Sequence, residues 1–327
     1  MNGNSLSRKG SGNVRRAAHD DVHMRARTAI VVVTYNSAPV LADCLRSLAQ
    51  GADGVELDAV VVVDNASRDG TLELAASFTD LPMRTVQMGR NAGYAAGINA
   101  GVNELDLAVL DSILVINPDC RLTHGGLATL AKTLTVPGCG IAVPRLVNPD
   151  GSLQPSLRRM PTVRRALVEA VIGGVRAGKI GKLGELVTDP REYERPAPAA
   201  WATGAAMLIS VNALLQTGPW DESFLLYSEE TEFALRAADR GWALWYEPDA
   251  VVEHIGGDSS TNPALAALLT VNKVRLFRRR RGLVPALAYY FAVILGESAR
   301  AVAGRQTSKA SVAALLRPSR RIQTLAS

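Results

Sequence analysis

Only three cysteines occur in 327 residues (Cys44, Cys120, Cys139), with no CxxC pair. That excludes a disulfide framework or a cysteine-based zinc site as the organising principle. No apolar run reaches about 18 residues, so no segment reads as a membrane-spanning helix. The first 27 residues are polar and lack the apolar centre of a secretory signal, which predicts a cytoplasmic protein. Aromatic residues are scarce at 5%, while hydrophobic residues reach 47% and charged ones 20%. A disordered or fibrous chain is thereby excluded, and Ala, Val and Leu in this abundance suit buried parallel strands layered with helices.

The net charge of +5 conceals an asymmetry. Residues 261–327 hold twelve Lys/Arg against the single acid Glu297, and residues 1–27 hold six bases against two acids. The middle, 28–260, is therefore left at −10. A nucleic-acid groove needs positive charge on its working face, so no nucleic-acid partner is expected. The pattern fits a carboxylate-rich catalytic domain (28–260) with a basic, disordered N-terminal tail (1–27) and a basic, helical C-terminal extension (261–327).

Order is predicted to begin at Ala29–Thr34, a continuous β-branched run suited to a strand buried on both faces. A helix over Pro39–Gln50 follows, with Val40, Leu41, Cys44, Leu45 and Leu48 at three-to-four spacing. Further strands are predicted at Ala59–Val63, weakly near Arg84–Met88, and at Ile113–Ile116. Between them lie helices after Gly70 and after the small-residue loop Asn91–Asn99. This alternation argues for an α/β protein with a parallel, doubly wound sheet. Residues 152–200 read as an amphipathic helix and a Pro/Ala linker, Trp201–Ile209 and Trp242–Tyr246 as strands, and Glu229–Gly241 as a helix.

Polar triplets close three of the strands: Thr34-Tyr35-Asn36, Asp64-Asn65-Ala66 and Asn117-Pro118-Asp119. In open α/β sheets the carboxyl ends of strands are where ligands bind. Asp119 can hold a divalent cation with substrate phosphates, or serve as an ordinary Pro-Asp turn. His254, before a Gly-Gly turn, can be a second metal ligand or a satisfied structural histidine. Glu229, Glu230 and Glu232 can supply a general base, or form a first helical turn favoured by the dipole. Apolar Phe224–Leu226 just upstream imply that this turn is partly buried, which would raise a carboxylate pKa. Neither GxGxxG nor GxxxxGK[ST] is present, so the Asn91–Gly97 loop is only loosely like a phosphate cradle.

The order of these pieces resembles the family-2 glycosyltransferases of the GT-A fold, and in particular bacterial rhamnosyltransferases of cell-surface polysaccharide assembly. The motifs are Val33-Thr-Tyr-Asn-Ser37, Val63-Asp-Asn-Ala-Ser-Arg-Asp-Gly-Thr71, Asn91–Asn99, Asn117-Pro-Asp119, Trp201-Ala-Thr-Gly-Ala205, Trp220-Asp-Glu, Tyr227–Phe233 and His254–Ser259. The resemblance implies a Rossmann-like nucleotide-sugar-binding domain with a mixed central sheet. It further implies that Thr34, Tyr35, Asn36 and Asp64 line the nucleoside pocket, and that Asn91, Gly93 and Asn117 lie along the nucleotide-sugar. Asp119 would stand at the metal position of a reduced DxD motif, with His254 beside it and Mg²⁺ or Mn²⁺ as cofactor. The acid pair aligns with Glu229-Glu230, making Glu230 the expected base of an inverting transfer. The family's usual Glu-Asp-Val-Asp-Leu reads Glu-Glu-Thr-Glu-Phe here.

By the same resemblance the donor would be a nucleoside-diphosphate sugar, with deoxythymidine diphosphate-rhamnose the first choice. The acceptor would be lipid-linked or a polysaccharide in cell-envelope glycan synthesis. Lys273–Arg281 packs six bases into nine residues and precedes the apolar stretch Leu283–Leu295. Too short to span a bilayer, residues 273–295 suit peripheral contact with the inner face of the membrane. The alternatives are packing on the enzyme body and a homodimer contact. Two other functions fit less well: a nucleotidyltransferase, which would want a basic phosphate loop after the first strand, and a non-catalytic nucleotide- or sugar-binding partner.

Overall fold

The first β-branched run forms strand β1 (Arg27–Thr34), whose last seven residues are buried. Then come α1 (Ala38–Gly51), β2 (Glu56–Asp64), α2 (Thr71–Ala76), β3 (Met83–Gln87), α3 (Tyr94–Asn103) and β4 (Ser112–Ile116). These four strands pair in parallel in the order β3-β2-β1-β4. The chain continues through β5 (Cys120–Leu122), α4 (Gly126–Thr133), β6 (Cys139–Val147), β7 (Leu157–Arg158), α5 (Val163–Ile172) and α6 (Gly174–Lys179). It returns through β8 (Ala197–Ala199), β9 (Trp201–Ala202), β10 (Ala206–Ser210), α7 (Val211–Thr217), α8 (Glu229–Asp239) and β11 (Ala243–His254). Three helices end it: α9 (Pro263–Arg281), α10 (Leu283–Val302) and α11 (Gln306–Leu316). This computed structural model describes residues 25–256 and 261–325, so most of the N-terminal tail and all of 257–260, the end of the His254–Ser259 motif included, lie outside the described residues.

The purely parallel sheet suggested by the β/α alternation gives way to a mixed sheet, as the family resemblance implies. Its full order is β3-β2-β1-β4-β10-β6-β11-β5, with β8 also paired to β11. β10 runs antiparallel to both neighbours, and β5 and β8 run antiparallel to β11. After β6 the chain makes a long excursion, residues 148–205, at the site end of the sheet. It then re-enters between β4 and β6 from their carboxyl ends and must run the other way.

Three local expectations also change. The strand expected over Trp201–Ile209 is broken at Thr203–Ala205 into β9 and β10. The two runs around Trp242 and Val251 are one strand, β11, with a register shift between Glu247 and Val251. Strand β6, which had no sequence prediction, sits mid-sheet.

Alternate residues of β1 and β2 face two separate cores. Val31, Val33, Val61 and Val63 meet Ala95 and Ile98 of α3, whereas Ile30, Val32, Val60 and Val62 meet Leu41, Leu45 and Leu48 of α1. Gly97 and Gly101 let α3 lie directly on the sheet, because a Cβ there would come within 2.6 Å of Val33 and Val31. That close seat fixes the α3 N-terminus, and with it the Asn91–Tyr94 loop, over the strand ends.

The C-terminal helices form a third cluster with α5, in which Phe277 stacks on Tyr289 at 4.0 Å, backed by Ala166, Ala286 and Ala292. The basic run of α9 is directed mainly into the enzyme body. Lys273 lies 2.9 Å from Glu185 and 3.7 Å from Glu169, Arg279 2.7 Å from Asp221, and Arg280 2.9 Å from Asp239. Helix α10 buries Ala286, Tyr289, Ala292 and Gly296 and exposes Leu283, Val284, Leu287, Phe291 and Leu295 on its opposite side. Among the described residues no helix is long and apolar enough to cross a membrane.

Candidate active site

Parallel pairing of β1 with β2 and of β1 with β4 brings Thr34, Asp64 and Asn117 to one edge of the sheet. The Thr34 hydroxyl donates to the Asp64 carboxylate at 3.1 Å, and Ser67 donates to it through its backbone N–H at 2.9 Å and through its hydroxyl. Asn36, at φ 49°, accepts from the Arg68 N–H at 2.9 Å and donates its own N–H to the Ser67 hydroxyl at 2.8 Å. Tyr35 lies between them with its ring partly exposed. The ends of β1 and β2 thus form one hydrogen-bonded shelf, open to solvent at Asn36.

Asn65 ties this shelf to the next loop. Its side-chain amide donates to the Gly93 carbonyl at 3.2 Å and accepts from Ala92 N–H at 3.3 Å, while Asn91 caps Gly93 N–H at 3.3 Å. Gly93 has φ 97°, and a Cβ there would collide with the Leu225 carbonyl oxygen. The neighbouring Tyr94 N–H donates to that same carbonyl at 2.8 Å. Only glycine allows the 91–94 loop and the segment before α8 to approach this closely.

Asp119, Cys120 and His254 place ligand-type atoms within 4.8 Å of one another. Antiparallel pairing of β5 with β11 sets Cys120 opposite His254. The Cys120 thiol is fully buried, donates to Ala205 C=O at 3.3 Å, and is held well above its ordinary pKa by burial. It is therefore a structural thiol and no ligand for a hard cation. The other two fit one. Gln154 Nε2 donates to Asn148 Oδ1 and His254 C=O, at 3.0 and 3.2 Å, so its Oε1 must face His254 Nδ1, 2.6 Å away. Nδ1 then carries the imidazole proton, and Nε2 turns a lone pair toward Asp119 Oδ2 at 3.5 Å. Desolvation lowers the His254 pKa against the pull of Asp119, which favours the neutral ring. Two acceptors facing each other are the arrangement a divalent cation resolves. Asn117 contributes backbone here: its N–H donates to Ala205 C=O at 2.8 Å, and its carbonyl accepts from Cys120 N–H at 3.2 Å.

Helix α8 carries the acids. Glu232 is clamped by Arg236 through two contacts of 2.9 Å and is unavailable as a base. Glu229 is 2% exposed, its Oε2 has no hydrogen-bond partner, and burial pushes it well above the usual carboxylate range. Glu230 is half-buried, and its pKa is raised by desolvation, with the Arg158 guanidinium opposing the rise. Such a split in environment assigns the proton to Glu229 and leaves Glu230 the more readily ionised. Gly204 of the Trp-Ala-Thr-Gly motif makes room for Glu230, whose Cβ would lie 3.2 Å from a Cβ added there.

Tyr94 had no sequence assignment and turns out to be the centre of the site. Its hydroxyl donates to Gly204 C=O at 3.1 Å. Burial, then Cys120, Glu229, Glu230 and Asp119, hold its phenol protonated. Asp119 and the acid pair therefore lie within electrostatic reach of one side chain. Arg158 lies over Trp201 at 5.7 Å and acts electrostatically on Glu230. Gln154 carried no signal in the sequence. Asn272 did: it falls between Leu268 and Leu276 on the buried stripe of α9, a polar residue at a core position.

Comparison with known proteins agrees with this geometry. Residues 29–182 match the profile of Glycosyl transferase family 2. The chain is 30% identical over 245 residues to N-acetylglucosaminyl-diphospho-decaprenol L-rhamnosyltransferase of Mycobacterium tuberculosis, a match covering 72% of this chain and 78% of that one. It is 29% identical over 210 residues to the low-salt glycan biosynthesis hexosyltransferase Agl10 of Haloferax volcanii, covering 64% and 61%. In fold it is similar to the mannosyltransferase PcManGT from Pyrobaculum calidifontis in complex with GDP-Man and Mn²⁺ (TM-score 0.54, 19% identity, 89% and 79% covered). It is likewise similar to GalNAc-T7 with UDP, GalNAc and Mn²⁺ (TM-score 0.58, 14% identity, 79% and 48% covered).

Proposed function

Because the chain belongs to glycosyl transferase family 2, we propose that it is an inverting, metal-dependent glycosyltransferase of cell-envelope glycan synthesis. Its donor is a nucleoside-diphosphate sugar, deoxythymidine diphosphate-rhamnose first, and its acceptor a lipid-linked or polysaccharide glycan. The likeness to the mycobacterial rhamnosyltransferase supports both choices. The observation that carries the reading is the neighbourhood of Tyr94: its hydroxyl donates to the Gly204 carbonyl, Gly204 lies against Glu230, and Glu229, Glu230 and Asp119 all act electrostatically on the phenol. A candidate site for the leaving group and a candidate base thus share one neighbourhood.

In this reading Thr34, Tyr35, Asn36 and Asp64 receive the nucleoside, and Asn91, Gly93 and Asn117 line the path of the donor. Asp119 and His254 hold Mg²⁺ or Mn²⁺, which supplies positive charge against the diphosphate leaving group. Glu230 takes the proton of the acceptor hydroxyl, whose oxygen bonds to the anomeric carbon as the bond to the diphosphate oxygen breaks. The electron pair of that bond leaves on the diphosphate. Protonated Glu229 adds no second charge to the pocket, and Arg158 keeps Glu230 ionisable.

A lipid-linked acceptor places the enzyme at the inner face of the membrane, as a peripheral protein. The exposed apolar stripe of α10 supports that contact, flanked by exposed Leu167 and Val171 of α5, which packs on α10 at Ala170–Gly296. Exposed Arg164, one turn before Leu167 on α5, adds the kind of charge that anionic lipid attracts.

The deciding experiment is thermal denaturation with a panel of nucleoside diphosphates, with and without Mn²⁺ or Mg²⁺. A ligand selective for the folded state raises the melting temperature by mass action. A base-selective, metal-enhanced rise that Asp119→Ala abolishes is expected, and it identifies the nucleotide. No rise with any nucleotide overturns the reading in favour of a non-catalytic partner.

A further inference from the structure

The segment before α8 is held in an unusual backbone state. Leu225, Tyr227 and Ser228 have φ of 64°, 67° and 77°, none of them glycine, and Ser228 is the N-cap of the helix that carries Glu229 and Glu230. Its side chain makes no capping hydrogen bond. Left-handed conformations persist in such residues only where surrounding contacts over-determine them. On one side the contact is the α3 loop, through Tyr94 N–H and Leu225 C=O at 2.8 Å.

On the other side it is α9. Asn272, 3% exposed, directs its side-chain amide at three carbonyls of the segment: Phe224 at 2.7 Å, Leu226 at 2.9 Å and Tyr227 at 3.2 Å. The reversals in φ are what make these three oxygens converge, and one NH₂ group answers all of them. Neighbouring α9 residues reinforce the seat. Arg275 donates to Ser223 C=O at 2.7 Å, and Arg279 lies 4.9 Å over the Phe224 ring.

We propose that Asn272 is a positioning residue for the acid pair. By fixing the carbonyls of Phe224, Leu226 and Tyr227 it sets where α8 begins, and so where the Glu229 and Glu230 carboxyls point. The C-terminal extension is by this account part of the catalytic apparatus, rather than an appendage serving only as an anchor. The inference rests on the role given to Glu230 above, but its test does not depend on that role.

The test is NMR titration of the glutamate carboxyls in full-length ¹³C-labelled protein without substrate, comparing wild type with Asn272→Leu. Leucine keeps the branching and the number of side-chain heavy atoms and adds no charge, but removes the donor. Glu229 or Glu230 is expected to shift toward ordinary glutamate by about one unit or more. Nucleoside diphosphate affinity should stay within about twofold, and kcat should fall about tenfold or more, as displaced catalytic groups cost. Titration curves of both carboxyls superimposing on wild type overturn the proposal, whatever happens to kcat. If Asn272→Leu does not fold, Asn272→Ser is read in the same way. Should Glu230→Gln retain wild-type turnover, Glu230 is not the base, yet the titration still decides what Asn272 does.

Discussion

Gln154 fixes the tautomer of His254. Its own amide is oriented by donating to Asn148 and to the His254 carbonyl, so its oxygen accepts from Nδ1 at 2.6 Å and leaves Nε2 free to face Asp119. The two residues are 100 positions apart in the chain and meet because β11 and the 148–154 turn lie side by side. Outer contacts of this kind commonly carry about 10–100-fold in metal affinity. Gln154→Leu should therefore weaken Mn²⁺ binding by that order, while Asp119→Ala should remove it. Calorimetric titration of Mn²⁺ with nucleotide present checks both. Equal affinity in Gln154→Leu and wild type would refute the assignment of the tautomer.

Replacing Glu230 by Gln keeps the side-chain shape and removes the carboxylate proposed as the base. Turnover is expected to drop about 10²–10⁴-fold, the usual range for a general base. Nucleoside diphosphate affinity should remain within about twofold. The same change at Glu232, which is occupied by Arg236, should leave most of the turnover intact.

Arg158 opposes the desolvation that raises the Glu230 pKa. Arg158→Gln removes the positive charge while keeping donors for the Pro155 and Leu157 carbonyls. The Glu230 pKa then rises further, so a smaller fraction is ionised at any given acidic pH. The acid limb of the kcat profile should move to higher pH, with the alkaline plateau lowered much less. A limb that stays in place would mean that Arg158 does not act on the base.

Lys273 sits between Glu185 and Glu169 at the junction of α9 with the body. Lys273→Met should cost about 2–4 kcal/mol in denaturant unfolding, because it leaves Glu185 charged and nearly buried. Adding Glu185→Gln should recover much of that loss. A single-mutant cost below about 0.5 kcal/mol would show the pair to be no more than a surface contact.

Membrane contact through α10 predicts that Leu287→Asp with Phe291→Asp, both on the exposed side, will lower co-sedimentation with anionic phospholipid vesicles severalfold. Thermal stability and nucleotide binding should be retained. Binding that persists in the double variant would assign the contact elsewhere.

Much of the shelf at the strand ends was readable without coordinates. Thr34, Asp64 and Asn117 each close a short run of β-branched or apolar residues, and β-branched enrichment with a polar turn at the end favours a buried strand. Parallel pairing then forces their ends together. The acids of α8 were equally visible, since three glutamates in a first turn mark a helix start. What each acid does was not. Glu232 is set aside by Arg236, Glu229 by burial, and Glu230 is tuned by Arg158, 72 positions earlier in the chain.

The sequence by itself determined the family, the first four strands and the candidate ligands, because hydrophobic period and turn chemistry are local and recur in fixed order. Tertiary structure alone decided the rest. The antiparallel entry of β10 depends on where a 58-residue excursion returns, a question of topology rather than propensity. The basic run of α9 reads as a membrane signal until Asp221, Asp239 and Glu185 are found opposite it. Asn272 and Tyr94 acquire their roles only from groups that the chain brings to them across the fold, since a hydrogen bond or a buried charge belongs to a pair and neither partner specifies it alone.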